Sequence, residues 1–492
     1  MNDIRSRELV AAGVMTHHRR PARLRVKQVA IGAITAALSL FATSPFAAGL
    51  APPISPAAGS DIVLAQLAAE PELRLQYRVE RAGTPEEIVT IGLAKDYHYK
   101  RAPPGLTVYD YRVRRIFRAS AEGQFVNDSL YAEVWYRRAE LENRAAIAAA
   151  LHKGGIDVGK GLVAHDPFWA ETQLGLTTSN FARPSLQRTD IKGRIAWRMN
   201  DGEVVAVRYR PDAVPLELRA SLRRLWPAIA AVHPGIADEL AESGKLPEEL
   251  WVKQVDSTGK TFETAHWVLT HGEWTQETKY PLSPHLQAVA SESRGAYPQI
   301  FQTLVASVAD QRKPPAAEVY QARIESAIAH SAGLEALVWG IEMQLAAGVS
   351  ANCAAPSASD FCTLAARAGP LAKSDPRTAV AFAQRSPDAE ARSQFDSLPN
   401  AYLLRLLWAT RPPGKDIKRE DSELDLLHAL QASPVANFCK DTGDFYVRVW
   451  QPFAAWQAWD LGRLMAGHVS GDLLDQVGTV EAEVARREPA FF

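Results

Sequence analysis

The chain has 492 residues, of which 47% are hydrophobic and 23% are charged, and its formal net charge is −1 at pH 7. This composition is ordinary for a globular protein, and the length is enough for two or more domains. A net charge so close to zero creates no global field that would attract nucleic acid or an anionic membrane, so we expect no nucleic-acid partner.

The first predicted element is an export signal over residues 1–48. Its apolar run, residues 29–42, is shorter than the roughly 20 residues that a spanning helix requires. Small residues follow the run, and basic residues lie close before it: Arg19, Arg20, Arg23, Arg25 and Lys27. This order is typical of a secretory signal peptide with an extended n-region, in which Met15 is the true start. We expect a periplasmic or secreted protein without a membrane span after signal removal; an uncleaved anchor is the alternative.

Residues 49–61 are rich in Pro and Ala and predict a disordered leader. Residues 62–285 predict an α+β domain. Within it, apolar and polar residues alternate over 70–138, which predicts an antiparallel meander with one solvated face. The last strand of this meander is expected at 129–138, followed by a helix over 139–155.

A second β unit is predicted over residues 190–280. It begins with a hairpin that turns at Asp201 and Gly202. A helix over 214–233 follows, and Pro227 is expected to kink or split it. Three more strands are expected, joined by turns at 257–260 and 271–274.

The period of the pattern changes near residue 290. Apolar residues then recur at every third or fourth position, which predicts a helical domain over 290–492. Short helices joined by short loops suggest stacked pairs, as in a solenoid, although no strict 34-residue repeat is present. The predicted fold class is therefore α+β: an N-terminal antiparallel β-rich part with a few helices, followed by an all-α part.

Three cysteines occur, and two of them, Cys353 and Cys362, flank a loop of turn-forming composition. Because an exported protein meets oxidising conditions, we predict a disulfide between these two, with Cys439 outside it. Three reduced thiols are the alternative. The chain has no HExxH or CxxC motif and no recognisable nucleophile motif, so no metal or cofactor is predicted, and whether it is an enzyme stays open.

One candidate binding site is a stripe of basic residues. Arg112, Arg114 and Arg118 share one face of a predicted strand, and Arg137 belongs to a predicted neighbouring strand. Guanidinium groups beside tyrosines suit a phosphate, a carboxylate or an anionic glycan. The alternative is a solvated sheet face on which these residues pair with Asp110 and Glu133.

A second candidate site is the aromatic stretch 444–464. Tryptophan platforms with a few polar groups bind sugar rings or peptides, and the candidate ligand-binding residues here are Trp450, Trp456, Trp459, Asp460 and Arg463. The alternative is a wide apolar helix inside the helical domain.

Three functions are compatible with these patterns. The first is an exported, non-enzymatic binding protein whose helical half presents a groove to an envelope protein or peptide. The second is a periplasmic hydrolase of envelope glycan, with dispersed carboxylates and the aromatic stretch in a cleft. The third is a carrier that wraps an apolar ligand in a curved sheet, on a face that includes Tyr77, Tyr109 and Tyr111. The absence of a catalytic motif favours the first.

Overall fold

The computed structural model describes residues 69–103, 105–153, 176, 186–199, 202–255, 261–276, 279–283, 286–291, 295–309, 315–347, 360–381, 395, 398, 401, 404–405, 419–432, 436–466 and 472–492. The predicted export signal and leader lie outside these residues. The described chain forms two compact units. The first contains the residues up to Val289 together with Glu483–Phe492, and the second contains Ala290–Ala482.

The first unit is built on one sheet of 12 strands in the order β12-β6-β5-β4-β3-β2-β1-β11-β10-β9-β8-β7. All neighbours are antiparallel except β12 and β6, which are parallel. The strands are β1 Glu72–Arg81, β2 Glu87–Leu93, β3 Tyr97–Ala102, β4 Gly105–Asp110, β5 Arg115–Ser120, β6 Gln124–Ser129, β7 Leu186–Ile191, β8 Arg194–Met199, β9 Gly202–Ala213, β10 Lys245–Val255, β11 Thr261–Thr275 and β12 Gln287–Val289. The sheet in the N-terminal half and the helices in the C-terminal half confirm the predicted fold class.

Three α-helices accompany the sheet within the described part of this unit: α1 Leu130–Lys153, α2 Arg219–Ala230 and α3 Pro234–Ser243. The inner face of the sheet is the face that α2 and α3 cover. On it, Val79, Trp267, Leu250 and Val207 lie directly opposite one another across β1, β11, β10 and β9. These side chains pack with apolar residues of both helices in one core. Burial of this face is the main stabilising term of the unit.

The prediction of a strand over 129–138 is wrong, because α1 begins at Leu130. The hydroxyl of Ser129 accepts a hydrogen bond from the backbone N–H of Tyr131 at 3.2 Å, which is the geometry of a helix N-cap. Ion pairs four residues apart, such as Glu133 with Arg137, then support the first turns. The cap and the ion pairs favour the helix more strongly than the aromatic and branched side chains of this stretch favour a strand.

Two further boundaries differ from the prediction. The helix containing Pro227 continues to Ala230 and breaks only afterwards, where Ala231 adopts a left-handed conformation with φ 51°. The expected turn at 271–274 is part of β11, which pairs with β1 from Ala265 to Thr275. A bulge lies between Leu269 and His271, opposite Gln76 and Tyr77, so the irregularity is absorbed within the strand.

The second unit is helical. Its helices within the described residues are α4 Tyr297–Ala309, α5 Ala317–Ala329, α6 Gly333–Ala347, α7 Asp360–Ser374, α8 Pro376–Ala381, α9 Arg419–Ala432, α10 Ala436–Arg448, α11 Pro452–Ala466 and α12 Asp472–Arg487, of which α12 ends in the first unit. Among the described helices, none combines the length and the apolar character needed to cross a bilayer.

Candidate functional site

The four arginines of the predicted basic stripe do not share one strand face. Arg112 and Arg114 lie in the turn between β4 and β5, Arg118 lies on β5, and Arg137 lies on α1 rather than on a strand. The structure brings Arg118 and Arg137 together, because both contact the carboxylate of Glu133, at 3.2 Å and 2.7 Å. Half of the predicted patch therefore exists, built from a strand and a helix.

Carboxylates accompany most of these guanidinium groups. Arg112 pairs with Asp110 at 2.7 Å and with Glu70 at 3.0 Å. Arg118 bridges Glu133 and Asp128. The pairing predicted as the alternative, with Asp110 and Glu133, is thus present, and it reduces the positive charge available to an anionic ligand at this place.

The carboxyl group of Asp128 is buried on the inner face, with 4% of the residue exposed. Its Oδ2 contacts Arg118, and its Oδ1 has no hydrogen-bond partner among the described residues. Burial raises the pKa of Asp128 to about 6, although the nearby Arg118 opposes the shift.

This shift predicts a pH dependence of stability. In the unfolded chain the Asp128 carboxyl has its ordinary pKa of 3.8, so between about pH 4 and pH 6 the folded state binds the additional proton. The free energy of unfolding therefore falls as the pH rises through this interval, by roughly 2–3 kcal/mol for this group. In Asp128→Asn this contribution is absent, and the variant should gain stability relative to the wild type between pH 4 and pH 7, measured by urea unfolding.

Asp375 supplies a control of opposite sign. Hydrogen bonds from Arg377 lower the pKa of Asp375, so its contribution to stability is lost as the pH falls rather than as it rises. Asp375→Asn should therefore cost stability relative to the wild type at pH 7, and this cost should shrink only as the pH falls below about 4. A difference between wild type and Asp128→Asn that is constant over this range would contradict the assignment.

A polar row continues from Asp128 across the inner face. Asp128, Ile116, Tyr109 and His98 lie opposite one another across β6, β5, β4 and β3, on the same face as the apolar Leu93 of β2. The inner face is therefore apolar over β1, β2 and β11, whereas His98, Tyr109 and Asp128 bring polar groups to it over β3, β4 and β6. This division was not visible in the sequence, since both parts show the same alternation.

His98 is fully buried within this row. Its ring stacks on Tyr109 with 4.9 Å between centroids, and its Nδ1 lies 3.3 Å from the hydroxyl of Tyr111. Burial, with a smaller effect of Arg224, lowers the pKa of His98 to about 3, so the imidazole is neutral at ordinary pH. Its Nε2 has no partner among the described residues.

The predicted aromatic site in the helical unit is mostly internal. Trp456 and Trp459 are 1% and 5% exposed and contact each other edge to face, with 4.8 Å between centroids. Asp460 is buried and pairs with Arg463 at 3.2 Å, as their spacing predicted. Only Trp450, which is 38% exposed, presents a large aromatic surface to solvent.

The helical unit carries an open groove, formed by residues that were not among the candidate site residues. It lies between α5 and α6 and encloses about 1000 Å³. Apolar and small side chains form most of its lining, with charged groups at its edges: Glu318, Val319, Ala322, Arg323, Ser326, Ala327, His330, Ala332, Glu335 and Trp339. We call this surface the α5–α6 groove. The one available signal was Val319, an apolar residue beside the core residue Tyr320 and therefore on a different face of the helix.

The cysteines are placed as follows. Cys362 forms a disulfide bond. Cys439 is a buried free thiol. The predicted partner of Cys362, Cys353, lies outside the described residues, so this pairing stays a prediction. Among the residues that the structure describes, no group of three or more potential ligands could hold a metal ion.

Comparison with known proteins gives no relative from which a function could be transferred. No protein-family profile matches the chain, and neither a curated protein nor a solved structure is significantly similar to it. Fold and sites define its class: an α+β protein with a mostly antiparallel 12-stranded sheet in the first unit and helices in the second.

Proposed function

We propose that this protein is an exported, non-enzymatic binding protein, and that the α5–α6 groove binds a peptide segment of an envelope protein. The observation that carries the proposal is the groove itself, an open apolar surface between two helices that are joined by a short connection. Such grooves accept a third helix or a short peptide, whose apolar side chains enter between the two walls.

The walls of the groove expose apolar surface. Val319 is 41% exposed, and it faces away from the core that Tyr320 and Ile324 form with α6 and α7. Small side chains such as Ala322 and Ser326 leave the space beside it open. A ligand that covers Val319 would remove apolar area from water, which is favourable by about 25 cal/mol per Å².

The charged edges of the groove favour a particular ligand. The guanidinium group of Arg323 lies 4.4 Å from the ring centroid of Trp339 and is thereby held in place. Glu335 is engaged by Arg377 at 3.3 Å. Glu318, in the first turn of α5, is exposed. A segment with an apolar face and a basic residue directed at Glu318 therefore fits best.

The two alternative functions have less structural support. A carrier would need space on the inner face of the sheet, but Tyr77 packs there against Trp226 and Trp267, with ring centroids 5.7 Å and 6.0 Å away. The proposed hydrolase would need the aromatic stretch to line a cleft, whereas Trp456 and Trp459 are buried inside the helical unit.

The proposal is tested by selecting binders from a library of random displayed peptides with the purified wild-type protein. The selected peptides should share apolar residues at helical spacing and a basic residue. Their affinity, measured by calorimetry, should fall about tenfold or more in Val319→Glu, because a charge would be introduced into the apolar wall.

Val480→Glu is the matched control, since Val480 is a similarly exposed valine of a helix, at 38%, and lies outside the lining of the groove. It should bind the selected peptides as the wild type does. Selection of no peptide, or equal affinity of the two glutamate variants, would refute the proposal.

A further inference from the structure

The strand β7 forms one edge of the 12-stranded sheet. Among the described residues it has a single neighbouring strand, β8, so the other side of its backbone has no strand partner there. A row of backbone N–H and C=O groups at such an edge is a ready template for another strand. The opposite edge is β12, which is only three residues long and offers less backbone for pairing.

The hairpin between β7 and β8 determines which backbone groups face the open side. Its turn has two residues, Lys192 and Gly193, with φ angles of 53° and 77°, and Ile191 is the first paired residue beside it. In an antiparallel ladder hydrogen-bonded and non-hydrogen-bonded pairs alternate, and the pair that closes a two-residue turn is hydrogen-bonded. The backbone N–H and C=O groups of Arg188 and Asp190 therefore point away from β8, toward the open side.

The side chains near this edge are largely exposed to solvent. Ile191 is 66% exposed, although it is a large apolar residue. The side chain of Arg188 is 57% exposed, and its ion pair with Glu239 is loose, at 3.9 Å. Asp190 is exposed, and within the part of the chain that the structure describes no ion pair joins it to a basic residue. A strand added at this edge would cover the isoleucine and provide partners for both charges.

The charges of β7 are self-complementary. Arg188 and Asp190 lie on the same face of the strand, on either side of Thr189. When two copies of β7 pair antiparallel with Thr189 opposite Thr189 of the second copy, each Arg188 lies opposite Asp190 of the other copy. These are the residues whose backbone groups face the open side, so ion pairs and backbone hydrogen bonds form at the same positions.

The same charges disfavour the neighbouring registers. In a continuous sheet with twofold symmetry the helix-covered faces of both copies lie on one side, so the pairing changes in steps of two residues. One step places Arg188 opposite Arg188 of the second copy, and the step in the other direction places Asp190 opposite Asp190. Like charges directly opposite one another are destabilising, so the register centred on Thr189 is favoured.

We propose that a second copy of this chain pairs with β7, antiparallel and centred on Thr189, so that the sheets of the two copies join into one. Each copy contributes the same edge to this contact, and twofold contacts of this kind are the commonest in homo-oligomers. Arg188 and Asp190 determine the register of the contact. The proposal concerns the first unit and does not depend on the function proposed for the α5–α6 groove.

Sedimentation velocity of the purified full chain over a range of concentrations tests the proposal. The wild type should show a monomer–dimer equilibrium in the micromolar range. Arg188→Asp converts both ion pairs between the copies into pairs of carboxylates, and Asp190→Arg converts both into pairs of guanidinium groups. Each substitution should therefore raise the dissociation constant of the dimer about tenfold or more.

A mixture of the two variants tests the register itself. In a dimer of one Arg188→Asp copy and one Asp190→Arg copy, each carboxylate of the first copy lies opposite a guanidinium of the second. The equimolar mixture should therefore dimerise at least as well as the wild type. A double variant that combines Arg188→Asp with Asp190→Arg restores the ion pairs between identical copies and should dimerise alone.

Asp212→Arg is the matched control, because Asp212 is an exposed carboxylate of β9, at 61%, and lies away from the edge. This variant should dimerise as the wild type does. A wild type that is monomeric across the micromolar range, single variants that dimerise as well as the wild type, or an equal effect of Asp212→Arg would overturn the proposal. A mixture of the two single variants that stays monomeric would overturn it as well.

Discussion

Arg463→Met is expected to lower the free energy of unfolding by about 3–5 kcal/mol. The guanidinium of Arg463 is 3.2 Å from Asp460 and 3.1 Å from Glu481, and these two residues are only 2% and 4% exposed. Methionine fills a similar volume but removes the cation shared by two buried carboxylates. The loss should appear in urea unfolding followed by circular dichroism.

Arg486→Met is the matched control for this prediction. Arg486 also pairs with a glutamate, Glu483, at 2.7 Å, but the arginine side chain is 70% exposed. Exposed ion pairs contribute little, because water solvates both groups well. A loss in Arg486→Met as large as that in Arg463→Met would show that burial is not the cause.

Gly443→Ala is expected to destabilise the helical unit by about 1–3 kcal/mol. Gly443 lies on α10, where a methyl group would overlap the indole of Trp459 on α11. This indole is 5% exposed and donates its N–H to the carbonyl of Lys440 at 3.1 Å, so it has little freedom to move away. Thermal unfolding measures the effect.

The same substitution at Gly478 should increase stability rather than decrease it. Gly478 lies within α12, and a methyl group there would meet no atom within 4 Å. Alanine favours a helix over glycine by roughly 0.5–1 kcal/mol, so Gly478→Ala should raise the midpoint of thermal unfolding. Destabilisation by both substitutions, or by neither, would contradict the close helix crossing at Gly443.

The coarse fold follows from local periodicity, and long-range contacts explain where that reasoning failed. Alternation indicated that residues 70–129 form strands, because one face of the sheet is buried and the other is not. It did not give the turns between them: the predicted strand that carries Arg112, Arg114 and Arg118 is divided by a turn into β4 and β5. The next ten residues carry strand-favouring side chains but form a helix, since Ser129 caps it and Glu133 pairs with Arg137 one turn later. Propensity alone does not reveal such pairs.

The candidate sites were less predictable than the fold. The spacing of Asp460 and Arg463 indicated their ion pair, since three residues span one helical turn. No local pattern indicated that Glu481 also pairs with Arg463, because the two residues are far apart in the chain. The same holds for the contacts of Arg114 and Arg224 with Phe492. The α5–α6 groove likewise depends on how two helices pack against each other. Its only local sign in the sequence is the apolar Val319, which lies on a different face of α5 from the core residue Tyr320.

The most direct test of the proposed binding function is site-specific photo-cross-linking in living cells. A photoreactive phenylalanine analogue is placed at Val319, on the wall of the groove, and in a second strain at Val480. We predict that a discrete cross-linked species forms at position 319 and not at position 480, and that its mass identifies an envelope protein. Absence of a discrete species at position 319, or the same species at both positions, would contradict the account.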